Sequence, residues 1–342
     1  MRRLRVGVLG GAGFTGGELI RILMRHPRAR LAAVTSRSYA DRPVCEAHPN
    51  LRGRTDLRFT RELDARACDG VFLAGGHGDA MTKVPALLRA NPELRIVDLS
   101  GDFRLPQPGL YERWYDRSHT ATHLLGRFVY GLTELNRPAI RRARAVANPG
   151  CFATAVCLCL GPLARAGFAG TAYVTAVTGS SGSGVKPSAL THHPTRTANL
   201  RAYRPFRHQH VPEVENLLDR LGRGSRLRVS LIPVSGPFAR GIYAVCQLRR
   251  PRSWPAAKVR RLFTQAYARS AFVRLVDGPP SLNAVVGSNH CDLNVSIEDA
   301  RIGVTAAIDN LIKGASGQAV QNFNVMMGWD ERLGLDFAGP YP

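Results

Sequence analysis

The sequence predicts a two-domain α/β protein, with a mostly parallel sheet in its first part and a mixed or antiparallel sheet in its second. Three observations predict it. The N-terminal stretch runs from a short apolar segment through a glycine turn into an amphipathic helical pattern. Strand-like and helical runs then alternate up to about residue 165. Beyond that point strand-like segments follow one another with fewer helices between them. A chain of 342 residues is long enough for two cores, and an apolar fraction of 44% is ordinary for a globular protein.

The first element, LRVGVLGG, reads as a buried strand that enters GGAGFTGGELIRILMRH, a glycine turn followed by a helix. Gly10, Gly13 and Gly16 fall at G-x-x-G-x-x-G spacing. Glycines allow a tight turn, and the helix N-terminus presents free N–H groups and a partial positive charge to a phosphate. A glycine triplet alone also fits an ordinary strand–helix turn; the strand before it and the helix after it favour a dinucleotide site. The next strand, ARLAAVTSRS, ends where such a fold reads the adenosine ribose. An NAD site wants Asp or Glu there. Ser36, Arg37 and Ser38 instead offer two hydroxyls and a guanidinium, which suit a 2′-phosphate and point to NADP(H), although Arg37 also fits a solvated loop. GVFLAGGHG and RIVDLSGDF follow as strands, with MTKVPALLRANP as the helix between them. The loops GGHG, SGDFR and ANPGC stand at strand ends, where parallel sheets bind ligands. Arg104 in SGDFR is either a grip for an anionic group or a plain surface arginine.

AGTAYVTAVTG, SRLRVSLIPVSG and GIYAVCQLRR carry the second sheet. A long loop region separates the first two, and loops of that length in a compact enzyme are commonly functional. It opens with GSSGSG, where Ser180, Ser181 and Gly182 offer backbone N–H groups and hydroxyls to an oxyanion or phosphate. It also holds His192, His193, His208 and His210, together with Arg196, Arg201, Arg204 and Arg207. No acidic or cysteine ligand stands at zinc-like spacing beside these histidines, so no metal site is expected. They read as acid–base partners of a cysteine or as a polar surface loop.

The cysteine in question is Cys151 of VANPGCFATAVCLCL, on the first turn of a helix behind a Pro-Gly turn. A helix N-terminus and a nearby cation favour the thiolate, which is the nucleophilic form. Beside a nicotinamide site such a thiolate attacks an activated acyl group, expels phosphate and leaves a thioester, whose reduction gives an aldehyde. The other six cysteines read as reduced core residues; none of the seven is spaced C-x-x-C, which argues against a disulfide framework or zinc. The basic start of the chain is followed by an apolar run cut by glycines and carrying Glu18, which is unlike a signal peptide. No run is long enough to span a membrane, and the chain reads as cytoplasmic.

The formal charge of +22 implies anionic partners. All but four basic residues are arginines, a bias that a coding preference would also produce, and they are scattered. Both facts argue against nucleic acid and for an acidic protein or anionic small substrates.

GGAGFTGGEL, the SRS after the second strand, LSGDFRL, NPGCFATA, GSSGSG, HQHVPEVE and DNLIKGASGQAVQNFN occur in an order that resembles N-acetyl-gamma-glutamyl-phosphate reductases over nearly the whole chain. The resemblance implies a Rossmann-type NADP-binding domain at 1–148, completed by a C-terminal helix at 310–342. It implies a glyceraldehyde-3-phosphate-dehydrogenase-like catalytic domain of α+β type at 149–309, and a homo-oligomer. It implies Cys151 as nucleophile, Ala12, Gly13, Phe14 and Thr15 as phosphate loop, Ser36 to Ser38 at the ribose, and Asn310 as a cofactor contact. His210 is expected as acid/base and His208 as substrate-orienting. Gln209 departs from the family's common H-R-H. One branch of the family acts on substrates tethered to a small acidic amino-group carrier protein, in lysine and sometimes ornithine synthesis. THHPTR followed by RAYRPFRHQH is more similar to that branch, and a basic rim would steer such a carrier. The alternatives are action on free N-acetyl-gamma-glutamyl phosphate, a hydrolytic aldehyde dehydrogenase, or a non-catalytic dinucleotide- or nucleic-acid-binding protein.

Overall fold

The computed structural model describes residues 2–222 and 226–342. Met1 and residues 223–225, where SRLRVSLIPVSG was expected to begin, lie outside the described residues. The chain divides into two compact units. The first is Met1–Pro149 with Ala315–Asp336, and the second is Gly150–Gly314 with Phe337–Pro342.

The first unit is built on a parallel sheet of β1 (Leu4–Leu9), β2 (Ala29–Thr35), β3 (Gly70–Leu73), β4 (Arg95–Asp98), β5 (Phe128–Tyr130) and β6 (Ala145–Ala147), in the order β2-β1-β3-β4-β6-β5. β3 is wholly buried, which is why its GVFL reads as an uninterrupted apolar run. From β1 the chain goes first to one side, to β2, and then across to β3 on the other. The crevice beyond the ends of β1 and β3 is therefore the switch point at which such sheets bind ligands. A shallow cleft lies there, lined by Leu9, Leu73, Gly75, Gly76, Asp79 and Lys83 among others.

The C-terminal return is shorter than the expected 310–342. Its helical part is a π-turn at Ile312–Ser316 followed by an α-helix at Gly317–Met326, and every residue of that α-helix is buried. The Phe323 ring lies 5.3 Å from that of Phe72. A Cβ on Gly70 would sit 2.6 Å from Phe323, so this glycine of β3 makes room for the helix. Amide side chains do the rest. Asn322 accepts from Thr133 Oγ1 at 2.7 Å and donates to the Gly131 carbonyl at 2.6 Å. Asn324 Oδ1 pairs with His26 Nε2 at 2.9 Å.

LSGDFRL proves to be a brace. Asp102 accepts from the backbone N–H groups of Gly78 and Met81 at 2.7 and 3.0 Å, capping the helix Asp79–Ala90 from another loop. Arg104 is neither a surface arginine nor wholly available to a ligand. It is buried, with Nε donating to the Asn148 carbonyl at 2.8 Å and Nη2 to the Leu99 carbonyl at 2.7 Å. Anion grip was expected of it; two of its nitrogens are spent on backbone oxygens, which sequence alone does not show.

The second unit is a mixed sheet of β7 (Gly170–Thr178), β8 (Arg201–Ala202), β9 (Leu227–Ser235), β10 (Ile242–Arg249), β11 (Val273–Leu275), β12 (Cys291–Glu298) and β13 (Arg301–Ile308), in the order β11-β12-β13-β10-β7-β9-β8. β7 with β9 and β11 with β12 are parallel; the other pairs are antiparallel. The helix Cys151–Arg165 is buried all along from Phe152 to Ala164, which explains why CFATAVCLCL shows no polar face. Cys157 and Cys159 on that helix, Cys246 on β10 and Cys291 on β12 are buried free thiols. The second unit runs to Gly314 rather than 309 because Asp309 and Asn310 are tied into it, as described below.

Asp98, at the end of β4, is fully buried and accepts from Ser100 N and Oγ, both at 2.9 Å. Burial, reinforced by the neighbouring Asp102 carboxylate, pushes its pKa up to about 7. Its native pKa exceeds the unfolded one, so between about pH 4 and 7 the native carboxyl keeps a proton that the unfolded chain has lost. Its stabilising contribution is complete below that window and is lost as pH rises through it. Asp98→Asn should therefore gain stability relative to the parent protein on going from pH 5 to pH 8, on the order of 2 kcal/mol by thermal or urea unfolding. A difference that does not change with pH would contradict the protonated state.

Candidate active site

The first unit carries the glycine turn and helix start that were expected to hold a dinucleotide. Gly10 has φ +78°, and a Cβ there would lie 2.9 Å from Gly75 N. A Cβ on Gly16 would lie 2.6 Å from the Gly11 backbone. Both positions admit only glycine, the first for its backbone conformation and the second for close packing of helix on turn. The helix Phe14–Leu23 is capped by Gly13, and its first-turn N–H groups, on Phe14, Thr15 and Gly16 behind Ala12, have no intrahelical acceptor. His48 Nε2 donates to the Gly11 carbonyl at 2.7 Å and backs the turn. At the end of β2, Ser36 and Ser38 bring their hydroxyls to 3.4 Å. The Arg37 side chain is 80% exposed, with Asp79 at 4.0 Å. Hydroxyls and a solvent-facing guanidinium, with no acid among residues 36–38, fit a phosphorylated ribose.

In the second unit, Cys151 is the first residue of its helix and is half-buried, with Gly150 as N-cap. Three neighbours define its setting. The His210 ring stands against Gly150: a Cβ there would meet Nε2 at 2.1 Å. Gly150 N donates to the buried Glu213 carboxylate at 2.7 Å. Gly314, in the π-turn, faces Cys151 so closely that a Cβ there would lie 2.8 Å from the Cys151 Cβ. His210 and Glu213 belong to one helix, His210–Leu221, three residues apart and hence on one face. That helix thus places the His210 imidazole and anchors the N-cap of the Cys151 helix together.

His208 stacks edge-on with His210 at 4.6 Å and with Phe152 at 5.2 Å. Its Nδ1 accepts from His210 N at 3.2 Å, so that nitrogen carries no proton and His208 caps the first turn of the helix. Gln209 accepts from Arg204 at 3.3 Å on the exposed side. His192 and His193 are exposed in a short helical turn away from this group, His193 bonding Thr197. Tyr203 lies 6.0 Å from His208, and burial followed by the nearby Cys151 sulfur pushes its phenol pKa up.

Ser180, Ser181 and Gly182 form a 3-10 turn after β7. Their backbone N–H groups were expected to face an anion; instead Ser180 N and Ser181 N donate to the Phe238 and Ala239 carbonyls at 2.9 Å, and Gly182 N lies 3.4 Å from the Gly179 carbonyl. Asn310, expected as a cofactor contact, joins this turn: its Nδ2 donates to Ser181 Oγ at 3.0 Å and its Oδ1 accepts from Gly241 N at 2.7 Å. Beside it, Asp309 is fully buried. It accepts from Arg240 Nε and Nη2 at 3.0 and 3.2 Å, from Gly287 N at 2.8 Å, and from Leu311 N and Ile312 N at 2.8 and 3.0 Å. Among the described residues no group of three or more His, Cys, Asp or Glu is placed to hold a metal ion.

Sequence reasoning missed Glu213, Gly314, Tyr203 and the separate place of Arg196. For Glu213 a signal existed, since HQHVPEVE puts it three residues after His210. For the other three there was none, because Gly314 reaches Cys151, Tyr203 reaches His208 and Arg196 reaches Thr178 and Ser235 only through the fold.

Residues 5–143 match the family model described as semialdehyde dehydrogenase, NAD binding domain, and residues 151–310 match semialdehyde dehydrogenase, dimerisation domain. The chain is 42% identical to the N-acetyl-gamma-glutamyl-phosphate reductase of Methanothrix thermoacetophila, over 98% of this chain and 99% of that protein. It is 37% identical to the [LysW]-L-2-aminoadipate 6-phosphate reductase of Deinococcus radiodurans, over 98% of each. The crystal structure of aspartate semialdehyde dehydrogenase with NADP from Candida albicans shares the fold at a TM-score of 0.68 and 15% identity, over 95% of this chain and 98% of that one.

Gly150→Ala should push the His210 ring aside, and Gly314→Ala should displace Cys151. Each should lower kcat on the order of a hundredfold while the melting temperature and dinucleotide binding stay near those of the parent. Steady-state kinetics with calorimetry checks this, and full activity in both variants would contradict the packing described.

Proposed function

The chain belongs to the N-acetyl-gamma-glutamyl-phosphate reductase family of semialdehyde dehydrogenases and is an acyl-phosphate reductase dependent on a nicotinamide dinucleotide; from that premise we propose its residue roles and its substrate. The observation that carries the mechanism is Cys151 at a helix N-terminus, with the His210 imidazole packed on the preceding glycine. The Cys151 thiolate attacks the acyl carbon of the substrate. The C–O bond to phosphate breaks, and the acyl group is left as a thioester on the sulfur. His210 takes the thiol proton and returns a proton to the departing phosphate. When bound, the dinucleotide supplies a hydride to the thioester carbon. His210 then moves the proton that accompanies release of the aldehyde, and the C–S bond breaks to restore the thiolate. His208, with Nδ1 held by backbone, orients rather than transfers. Gly10 to Gly16 hold the pyrophosphate, and Ser36, Arg37 and Ser38 the 2′-phosphate of NADP(H). Asn310 holds the Ser181 turn.

For the substrate we favour an amino-dicarboxylic acid ω-phosphate whose amine is tethered to a small acidic carrier protein. The loop of residues 185–207 supports it. Val185, Leu190, Leu200 and Phe206 are each more than half exposed on that loop, interleaved with Lys186, Arg201, Arg204 and Arg207. An apolar surface ringed by cations suits an acidic protein surface better than a small free metabolite. The free N-acetyl-gamma-glutamyl phosphate is the second reading, favoured by the 42% identity to a reductase of that name. Self-association through the second unit and a reducing, cytoplasmic setting for the seven free thiols complete the proposal.

The reaction is tested in reverse, with semialdehyde, phosphate and NADP+. Cys151→Ala should remove NADPH formation, and iodoacetate should inactivate the parent enzyme by alkylating Cys151. Retained turnover in Cys151→Ala would overturn the mechanism. With carrier-linked substrate, kcat/KM should fall steeply as salt is raised, whereas the free acetylated substrate should react more weakly and with little salt dependence. The opposite ranking would establish the free substrate instead.

A further inference from the structure

Arg196 stands out among the arginines of the 185–207 loop. The short helix His193–Arg196 carries its half-buried side chain back to the ends of β7 and β9. There Nη2 donates to the Thr178 carbonyl at 3.0 Å and Nη1 to Ser235 Oγ. Thr178 and Ser235 are themselves partners across the parallel β7–β9 pair. Both acceptors are neutral. No carboxylate pairs with Arg196 among the described residues, and its Nε–H, cut off from solvent, has no acceptor. Most exposed arginines of this chain need no counter-charge, because water screens them. A guanidinium drawn into the wall of the protein without one is costly, and an anion relieves that cost.

The surroundings say which anion. Thr178 leads directly into Gly179 and the Ser180–Ser183 turn, and Gly182 lies against Thr178 Oγ1 and Asn310. Tyr203 feels the charges of both Arg196 and Cys151, and it touches His208. Arg196 therefore belongs to the same neighbourhood as Cys151 and His208.

We propose that Arg196 binds the free carboxylate of the substrate, the one next to its blocked amine, and so sets which acyl phosphates are aligned on Cys151. This rests on the acyl-phosphate reductase reading, and the carboxylate is present in both the carrier-linked and the free substrate. The Thr178 carbonyl and Ser235 Oγ hold the guanidinium in place. The fork geometry matters, because an arginine edge can meet a carboxylate with two parallel hydrogen bonds and a lysine cannot.

The test is steady-state kinetics in the reverse direction for Arg196→Met and Arg196→Lys, varying semialdehyde, phosphate and NADP+ separately. The KM for semialdehyde should rise about tenfold to a hundredfold in Arg196→Met, and less in Arg196→Lys. The KM values for phosphate and NADP+ should stay within about twofold, within ordinary additivity error. A rise confined to the phosphate KM would overturn the assignment in favour of the leaving group. Unchanged KM values for both, or a fall in kcat alone with a lowered melting temperature, would overturn it in favour of a loop brace. The parent enzyme is assayed first, so that lack of turnover counts against the reductase reading and not against Arg196. In that event protection of Cys151 from iodoacetate by N-acetylglutamate is the readout. Protection lost in Arg196→Met supports the site, and protection equal in both proteins refutes it.

Discussion

The candidate site depends on the buried carboxylate of Asp309. It receives the two edge nitrogens of Arg240 and three backbone N–H groups, those of Gly287, Leu311 and Ile312. A carboxylate removed from water is tolerable only when its lone pairs are filled, and here donors converge from three separate segments. The consequence is geometric. Asp309 ends β13 abruptly, turns its successor Asn310 toward Ser181 and Gly241, and starts the π-turn that seats Gly314 on Cys151. One acid thus fixes a wall of the site whose own side chain never reaches the chemistry.

Glycine does comparable work on the other side of the nucleophile. Gly150 is required not for an unusual backbone angle, since its φ is −69°, but because the His210 ring occupies the volume of a side chain. The same logic recurs at Gly16 in the first unit, where helix and turn approach too closely for any Cβ. In both places the absence of an atom brings a reactive or binding group within reach, which links a residue choice directly to function.

Much of this was legible in the sequence. The strand–glycine–helix start, the alternation in the first part and the change of texture after about residue 165 correspond to the parallel and mixed sheets observed. Cys151 could be singled out because NPGC is a local pattern: a turn, then a helix start. What eluded sequence reasoning was non-local. Arg104 carries the right group for an anion, but its acceptors are the carbonyls of Leu99 and Asn148. The Ser180–Ser181 backbone resembled an anion nest, but a segment near residue 238 supplies its acceptors. Asn310 stood out in the terminal motif, but its place in the second unit was not legible, because Asp309's distant donors come from residues 240 and 287. Hydrogen-bond partners far apart in the chain leave no periodicity to read.

The chain's path also bears on how the protein is made. The first unit is not contiguous: its helix Gly317–Met326, buried at every residue, arrives only after Gly150–Gly314 of the second unit have been translated. A ribosome that has released residues 1–149 has released a parallel sheet lacking the element that covers Gly70 and Phe72. The nascent N-terminal segment must wait, with apolar surface uncovered, for a partner synthesised about 170 residues later (from 149 to 317). The second unit, apart from its last six residues, is complete before that helix emerges. Synthesis therefore supplies nearly all of the second unit before it supplies the last element of the first.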